Sequence, residues 1–286
     1  MRNLKLTLAY DGSGFSGWQI QPGRPTIQGT LAEAVTRLTG ESTLPQGSGR
    51  TDAGVHALAQ VVTLNTASRI PEDNFKIALN DILPASIRVL KVDTEAMDFH
   101  ARKSARAKTY VYRIHRGDVC PPFLARFVCH HPYPLDEEAM IRSAPLVEGE
   151  HDFTSFAAVD PEERQQGEEN QNPLNGLQRS NVRTIFHSRW ERRALLPWNG
   201  TNGDPAAEPA RLVSPIPEAG YELVYTVRGS GFLHHMVRNL VGMFLLIGKG
   251  TLTSADIPRI LRAASRAANP AATAPASGLY MASVEY

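Results

Sequence analysis

Two apolar periods run through this chain, and the order in which they follow one another leaves few architectures open. Leu4, Leu6 and Leu8 alternate with Lys5 and Thr7, which predicts a strand over residues 4–10. Further strands are expected over 60–64, 87–92, 109–115, 183–189, 221–227 and 278–286. Ile27, Leu31, Val35 and Leu38 recur instead at helical spacing, with Thr26 and Thr30 competing to cap a helix over 26–38. Helices are also expected over 72–82, 136–147, 232–248 and 254–264, with Pro145 closing the one over 136–147. The segments do not follow a strict strand–helix–strand alternation. That favours an α+β fold with antiparallel pairing over a doubly wound parallel sheet.

Composition excludes classes rather than selecting one. The chain has 286 residues, 42% hydrophobic and 21% charged, which is enough to bury a core and rules out wholesale disorder. The most apolar stretch, residues 240–248, is about half of what a membrane-spanning helix needs. Met1 to Leu6 leads straight into a strand pattern, so no signal peptide is expected, and Cys120 and Cys129 fit two reduced thiols in a cytoplasmic protein. Residues 160–180 hold only Leu174 and Leu177 as large apolar side chains, and 197–217 hold five prolines; both are expected to be solvated insertions. Thirty basic against 29 acidic residues give a net charge of +1, which taken alone argues against a nucleic-acid partner.

Gly12, Gly14 and Gly17 spell the dinucleotide-binding spacing directly after the first strand. That mechanism needs the third glycine to open a helix whose N-terminus holds the pyrophosphate. Here Trp18 to Pro25 intervene, and no acidic residue stands at a second strand end. The glycines are expected to shape a loop, and a dinucleotide-dependent oxidoreductase is the weaker alternative.

A second glycine-rich run, Gly47-Ser48-Gly49-Arg50-Thr51-Asp52-Ala53-Gly54-Val55-His56, sets a guanidinium two residues before a carboxylate. Cations favour the ionised carboxylate, the form that a nucleophile or general base requires. An Asx turn with an incidental surface ion pair would read the same way.

Residues 100–116 carry six Lys/Arg (102, 103, 106, 108, 113 and 116) and no acid. Without them the chain has 24 basic residues against 29 acidic. Tyr110 and Tyr112 share one strand face there, so the run suits phosphate contacts plus stacking of one base on one ring. It suits equally a solvated strand edge blunted by cations.

In the helix expected over 232–248, Leu233, Met236, Val237, Leu240, Val241 and Phe244 cover most of the surface. Arg238 is a charge within that apolar set and needs an acidic or phosphate partner. His234 and His235, adjacent on a helix, should point apart, so hydrogen-bonded core histidines are expected and no metal site.

Taken together, Gly49-Arg50-Thr51-Asp52-Ala53-Gly54-Val55-His56 closely resembles the signature of the tRNA pseudouridine synthase A family. The resemblance continues in register through Tyr10-Asp11-Gly12, Gly17-Trp18-Gln19, Thr26-Ile27-Gln28-Gly29, Phe99-His100-Ala101-Arg102 and Lys108-Thr109-Tyr110-Val111-Tyr112. It goes on through His151-Asp152-Phe153-Thr154-Ser155-Phe156, Val182-Arg183-Thr184-Ile185, Gly231 to Asn239 and Gly278-Leu279-Tyr280. It implies a pseudouridine synthase fold: two α+β halves, residues 1–98 and 99–286, sharing a mixed, mostly antiparallel sheet around a catalytic cleft. It implies isomerisation of uridine to pseudouridine at positions 38, 39 and 40 of the tRNA anticodon stem-loop, by a cytoplasmic homodimer without cofactor. Asp52 then matches the catalytic aspartate, Arg50 the arginine before it, Tyr110 the ring that stacks on the target base and Arg238 the aspartate's partner. Leu279 matches an apolar wall of the pocket, and Arg102, Lys103, Arg106 and Lys108 are the expected RNA phosphate contacts. The stretches 160–180 and 197–217 are longer than the family's usual connections. A non-catalytic RNA-binding protein is the other alternative: it would share the basic strand but has no need of Asp52.

Overall fold

The computed structural model describes residues 1–158, 180–194 and 220–286. The expected insertion at 197–217, and all but the last residue of that at 160–180, lie outside the described residues. One mixed, mostly antiparallel sheet organises everything else.

The sheet opens on β1, Arg2–Tyr10, whose even-numbered residues Leu4, Leu6, Leu8 and Tyr10 are all buried. That alternation fixes which face packs inward, since a one-residue slip would turn the leucines to solvent. β1 pairs antiparallel with β3, His56–Thr66, on one side and β4, Ile87–Glu95, on the other. Two helices cover this part, α1 (Ile27–Thr39) and α2 (Glu72–Ile82). Thr26 wins the competition to cap α1, its side chain accepting from Gly29 N–H at 3.3 Å, and Gly40 ends the helix at φ +75. The short β2, Gln46–Gly47, joins β3 from the side.

The rest of the chain adds β5 (Ala107–Arg116), the two-residue β6 (Cys129–His130), α3 (Glu137–Ser143) and β7 (Gly149–Asp152). It continues with β8 (Val182–Ala194), β9 (Tyr221–Gly229), α4 (Met236–Gly248), α5 (Asp256–Ala263) and β10 (Leu279–Glu285). Sheet order is β4-β1-β3-β10-β5-β9-β8-β7, with β6 beside β5. The last strand in sequence therefore sits in the middle of the sheet. β10 lies parallel to β3 through Tyr280 and Met281, and antiparallel to β5 along most of its length. This insertion makes the sheet continuous, and it places β3, β10 and β5 side by side.

The strands mostly outrun their apolar patterns, because pairing continues where side chains are polar: β8 reaches Ala194 and β4 reaches Glu95. Pro145 ends α3 as expected, and the chain continues as a 3-10 turn over Ala144–Val147. One expectation is corrected. The helix over 232–248 begins only at Met236, since His235 takes a left-handed backbone at φ +59. No helix among the described residues is long and apolar enough to cross a membrane.

Candidate active site

Residues 48–55 link β2 to β3, and their shape is set by hydrogen bonds from four other segments. Tyr10 Oη and Thr51 Oγ1 are 2.8 Å apart in a buried contact, and Gln60 Nε2 donates to Gly49 O at 2.8 Å. Lys108 Nζ donates to Ser48 O at 2.6 Å from β5, and Trp18 N–H donates to Thr51 O at 2.9 Å from the 11–25 loop. The carbonyls of Ser48, Gly49 and Thr51 are thereby satisfied by groups anchored elsewhere, which immobilises the loop.

The same contacts explain the glycine spacing after β1. A Cβ at Gly12 would stand 2.0 Å from Val55 O, and one at Gly17 (φ +96) 2.7 Å from Thr51 O. Both glycines let one backbone lie directly on another. Gly12–Gly14 form only a 3-10 turn and α1 starts at Ile27, so no helix N-terminus follows Gly17 to receive a pyrophosphate. The dinucleotide alternative fails on this geometry.

Asp52 projects from the immobilised loop with its side chain 19% exposed. Arg238 Nη1 donates to Asp52 Oδ2 at 2.8 Å, while Arg238 Nε donates to Ala274 O at 2.7 Å. The acidic partner that the sequence demands of Arg238 is thus Asp52, 186 residues away. A guanidinium fixed at two points cannot swing away from the carboxylate.

The two histidines do not point apart. Lying before α4 rather than on it, they pack with ring centroids 4.0 Å apart and planes tilted by 35°, and both reach Asp52. His235 Nε2 is 3.3 Å from Oδ2 and His234 Nε2 is 3.5 Å from Oδ1. Burial lowers the pKa of His235, with Asp52 opposing and His234, Arg238 and Arg266 reinforcing the effect. A neutral His235 imidazole therefore faces the carboxylate. Asp52, His234 and His235 form the one group among the described residues whose donor atoms a metal ion could bridge. Arg238 already brings a positive charge to that carboxylate.

A cleft of about 910 Å³ opens over these groups, near the top of the usual range for ligand sites of about 300–1,000 Å³. Tyr110 and Leu279 line it beside Asp52, brought there because β5 and β10 are neighbours. The buried Tyr110 ring meets Phe232 edge-on, with centroids 4.9 Å apart. Burial raises the Tyr110 hydroxyl far above its usual pKa, with Tyr10 and Asp52 adding to the effect. The phenol is therefore neutral. Tyr112, two residues on, is wholly buried and donates to Pro275 O at 2.9 Å, so one tyrosine of the pair reaches the cleft.

Among the described residues Asp52 is the single carboxylate on the cleft wall, against the cations Arg24, Arg50, Arg102 and Lys108. Arg50 is exposed on that wall. Lys103 and Arg106 are exposed outside it, so two of the four expected phosphate contacts face the cleft and two do not. His56, the last residue of the signature run, is structural. Its buried ring accepts from Gly12 N–H at 3.2 Å, lies 3.1 Å from Arg126 O and stacks on Tyr280. Sequence reasoning missed His234 and His235 as neighbours of Asp52, and Phe232 as support for Tyr110. The helix start that decides this is set by the left-handed backbone of His235, which no local pattern of the sequence marks.

Comparison with known proteins points to one family. A family model described as tRNA pseudouridine synthase matches residues 7–102 and 144–286. A tRNA pseudouridine synthase A of Solibacter usitatus is 44% identical over 286 residues, covering all of both chains. Proteins of the same name from Moorella thermoacetica and Lacticaseibacillus casei are 40% and 37% identical, each over at least 99% of both chains.

Proposed function

The chain belongs to the tRNA pseudouridine synthase family, and on that premise we propose that it converts uridine to pseudouridine at positions 38, 39 and 40 of the tRNA anticodon stem-loop, with Asp52 beginning the reaction. The observation that carries this reading is Asp52 standing, among the described residues, as the one carboxylate of a cationic cleft, held by Arg238 at 2.8 Å. The isomerisation breaks C1′–N1, turns the base and forms C5–C1′. C5 loses a proton and N1 gains one, so atoms and electrons balance without an external oxidant or reductant. A single activated carboxylate is sufficient for such a rearrangement, where ordinary glycoside hydrolysis would call for two.

The target nucleotide has to leave its stack, at a cost of a few kcal/mol, before its base meets Tyr110. An aromatic face returns about 1–3 kcal/mol per base, which offsets much of that cost. Phe232 against the ring edge holds Tyr110 in place, and Leu279 supplies an apolar wall. Asp52 is fixed from both sides, by the loop contacts and by Arg238. Preorganisation of this kind supplies much of an enzyme's advantage over solution.

Tritium release from C5-labelled uridine in tRNA tests the assignment, because exchange at C5 accompanies formation of the C5–C1′ bond. Release confined to tRNAs bearing uridine at 38–40, with pseudouridine mapped there, is expected. No release from such tRNAs would remove the proposal. Tyr110→Phe separates binding from turnover. The ring survives, so anticodon stem-loop affinity should stay within about twofold while turnover falls by about 10-fold or more, as for loss of a proton-handling group. A large loss of affinity in Tyr110→Phe would mean that the hydroxyl, and not the ring, holds the base.

A further inference from the structure

Three cations from separate segments meet beside Tyr110. Lys108 lies two residues before Tyr110 on β5, so the two side chains share a sheet face about 6.7 Å apart along the strand. Lys108 and Arg102 both line the cleft. Arg183 comes from the start of β8, where its side chain passes Gly231: a Cβ there would stand 3.6 Å from Arg183 Nε. Gly231 immediately precedes Phe232, the residue packed on Tyr110, so Arg183 borders the ring's own support.

Among the described residues no counter-charge accompanies them. Among the described residues Arg183 Nη1 donates to Ser180 O and Val182 O, at 2.7 Å each, and Lys108 Nζ to Ser48 O. None of the ion pairs found among the described residues contains Arg102, Lys108 or Arg183. The charges acting on Lys108 are Arg102 and Arg183, and the charge acting on Arg183 is Arg102, all of one sign. Their effect falls on Lys108, whose pKa is pulled down to about 8, by burial first and by these two guanidiniums second. Like charges gathered without a carboxylate destabilise the free protein, and an anion placed among them relieves that repulsion.

We propose that Arg102, Lys108 and Arg183 form a phosphodiester subsite that grips the RNA backbone next to the nucleotide whose base stacks on Tyr110. The inference rests on the isomerase reading of the cleft for the identity of the anion. It assigns Arg183 a task that neither its place on β8 nor the basic run at 100–116 indicates. It also links RNA binding to a proton. Below pH 8 Lys108 is charged in free and bound protein alike, and affinity is insensitive to pH. Above pH 8 the free ammonium loses its proton while a phosphate retains it, so binding takes up a proton and weakens as pH rises.

Arg183→Gln is the cleanest variant, because Arg183 hydrogen-bonds only its own segment and touches no part of the Asp52 loop. Binding of an anticodon stem-loop RNA would be measured against salt for wild type, Arg183→Gln and Lys108→Met, with melting temperature as the check on folding. Each variant should weaken binding about 5–10-fold at low salt and flatten the slope of log K against log salt by about one phosphate contact. Wild-type affinity should fall between pH 8 and 9.5, and Lys108→Met should lose that fall. An unchanged slope and affinity in folded Arg183→Gln would overturn the proposal. So would a variant altered only in competition by inorganic phosphate at fixed ionic strength, which would mark a site for free anions. If the slope changes as expected but the wild type releases no tritium from tRNA, the subsite stands and the isomerase reading falls.

Discussion

Asp52→Asn should abolish tritium release from C5-labelled tRNA, by at least about 10³-fold in single turnover, while leaving a folded protein that binds RNA at least as tightly as the wild type. The size follows from the lining of the cleft: among the described residues no second carboxylate is present to take over the first step. The preserved fold follows from geometry. Asp52 contributes one side chain, 19% exposed, while the loop around it is held by Tyr10, Trp18, Gln60 and Lys108 through groups other than that carboxylate. Arg238 keeps its bond to Ala274 O, and an amide oxygen of nearly the same shape still accepts from Nη1. The sign of the binding change follows from charge. Removing a negative group from a wall that carries Arg24, Arg50, Arg102 and Lys108 strengthens attraction for phosphate. A variant that retains full turnover would refute the role of Asp52. One that loses turnover together with its melting transition would show only that the loop had collapsed. A folded, RNA-binding, inactive protein also sets the chain apart from a non-catalytic RNA-binding protein, for which Asp52→Asn has no turnover to remove.

That same wall resolves the charge puzzle in the sequence. A net charge of +1 argues against an RNA partner only if charge is spread evenly, and here it is not. Arg102 and Lys108 come from the basic run and Arg50 from the signature loop, whereas Lys103 and Arg106 of the same run face away from the cleft. A run of like charges in sequence therefore gives the strand, but alternation and loop path decide which members reach the ligand. Arg238 was legible for a different reason. A lone guanidinium in an apolar helix has to find an anion, and the geometry supplies Asp52 at 2.8 Å. His234 and His235 were illegible because their meaning turns on a helix boundary four residues from the expected one, and boundaries are where propensity is weakest. Arg183 belongs to the Val182-Arg183-Thr184-Ile185 run of the resemblance, but nothing local signalled a phosphate contact there. Its position beside Lys108 and Arg102 depends on β8 reaching the sheet next to β9, a long-range pairing that no window of sequence contains.

The loop glycines provide the second large effect, because two readings of one motif predict different patterns. Gly12→Ala would drive a methyl to within 2.0 Å of Val55 O, a backbone atom that cannot rotate away. Something must move, and Val55 is three residues from Asp52. Overpacking of this kind costs about 1–3 kcal/mol, or roughly 2–4 °C of melting temperature per kcal/mol in a chain of this order of size. The loss of activity should exceed the loss of stability, since displacing a catalytic group by about 1 Å costs about 10²-fold in rate. Gly17→Ala should behave similarly, with its Cβ 2.7 Å from Thr51 O and a backbone at φ +96. Gly14→Ala should be silent in both measurements, because nothing lies within 4 Å of the added atom and its φ is ordinary. A dinucleotide loop would need all three glycines to let a pyrophosphate approach, so Gly14→Ala would then be damaging. Melting curves and tritium release for the three single variants decide between the patterns. Damage at Gly12 and Gly17 with none at Gly14 marks the loop as a backing plate for Asp52, whereas equal damage at all three would contradict that role.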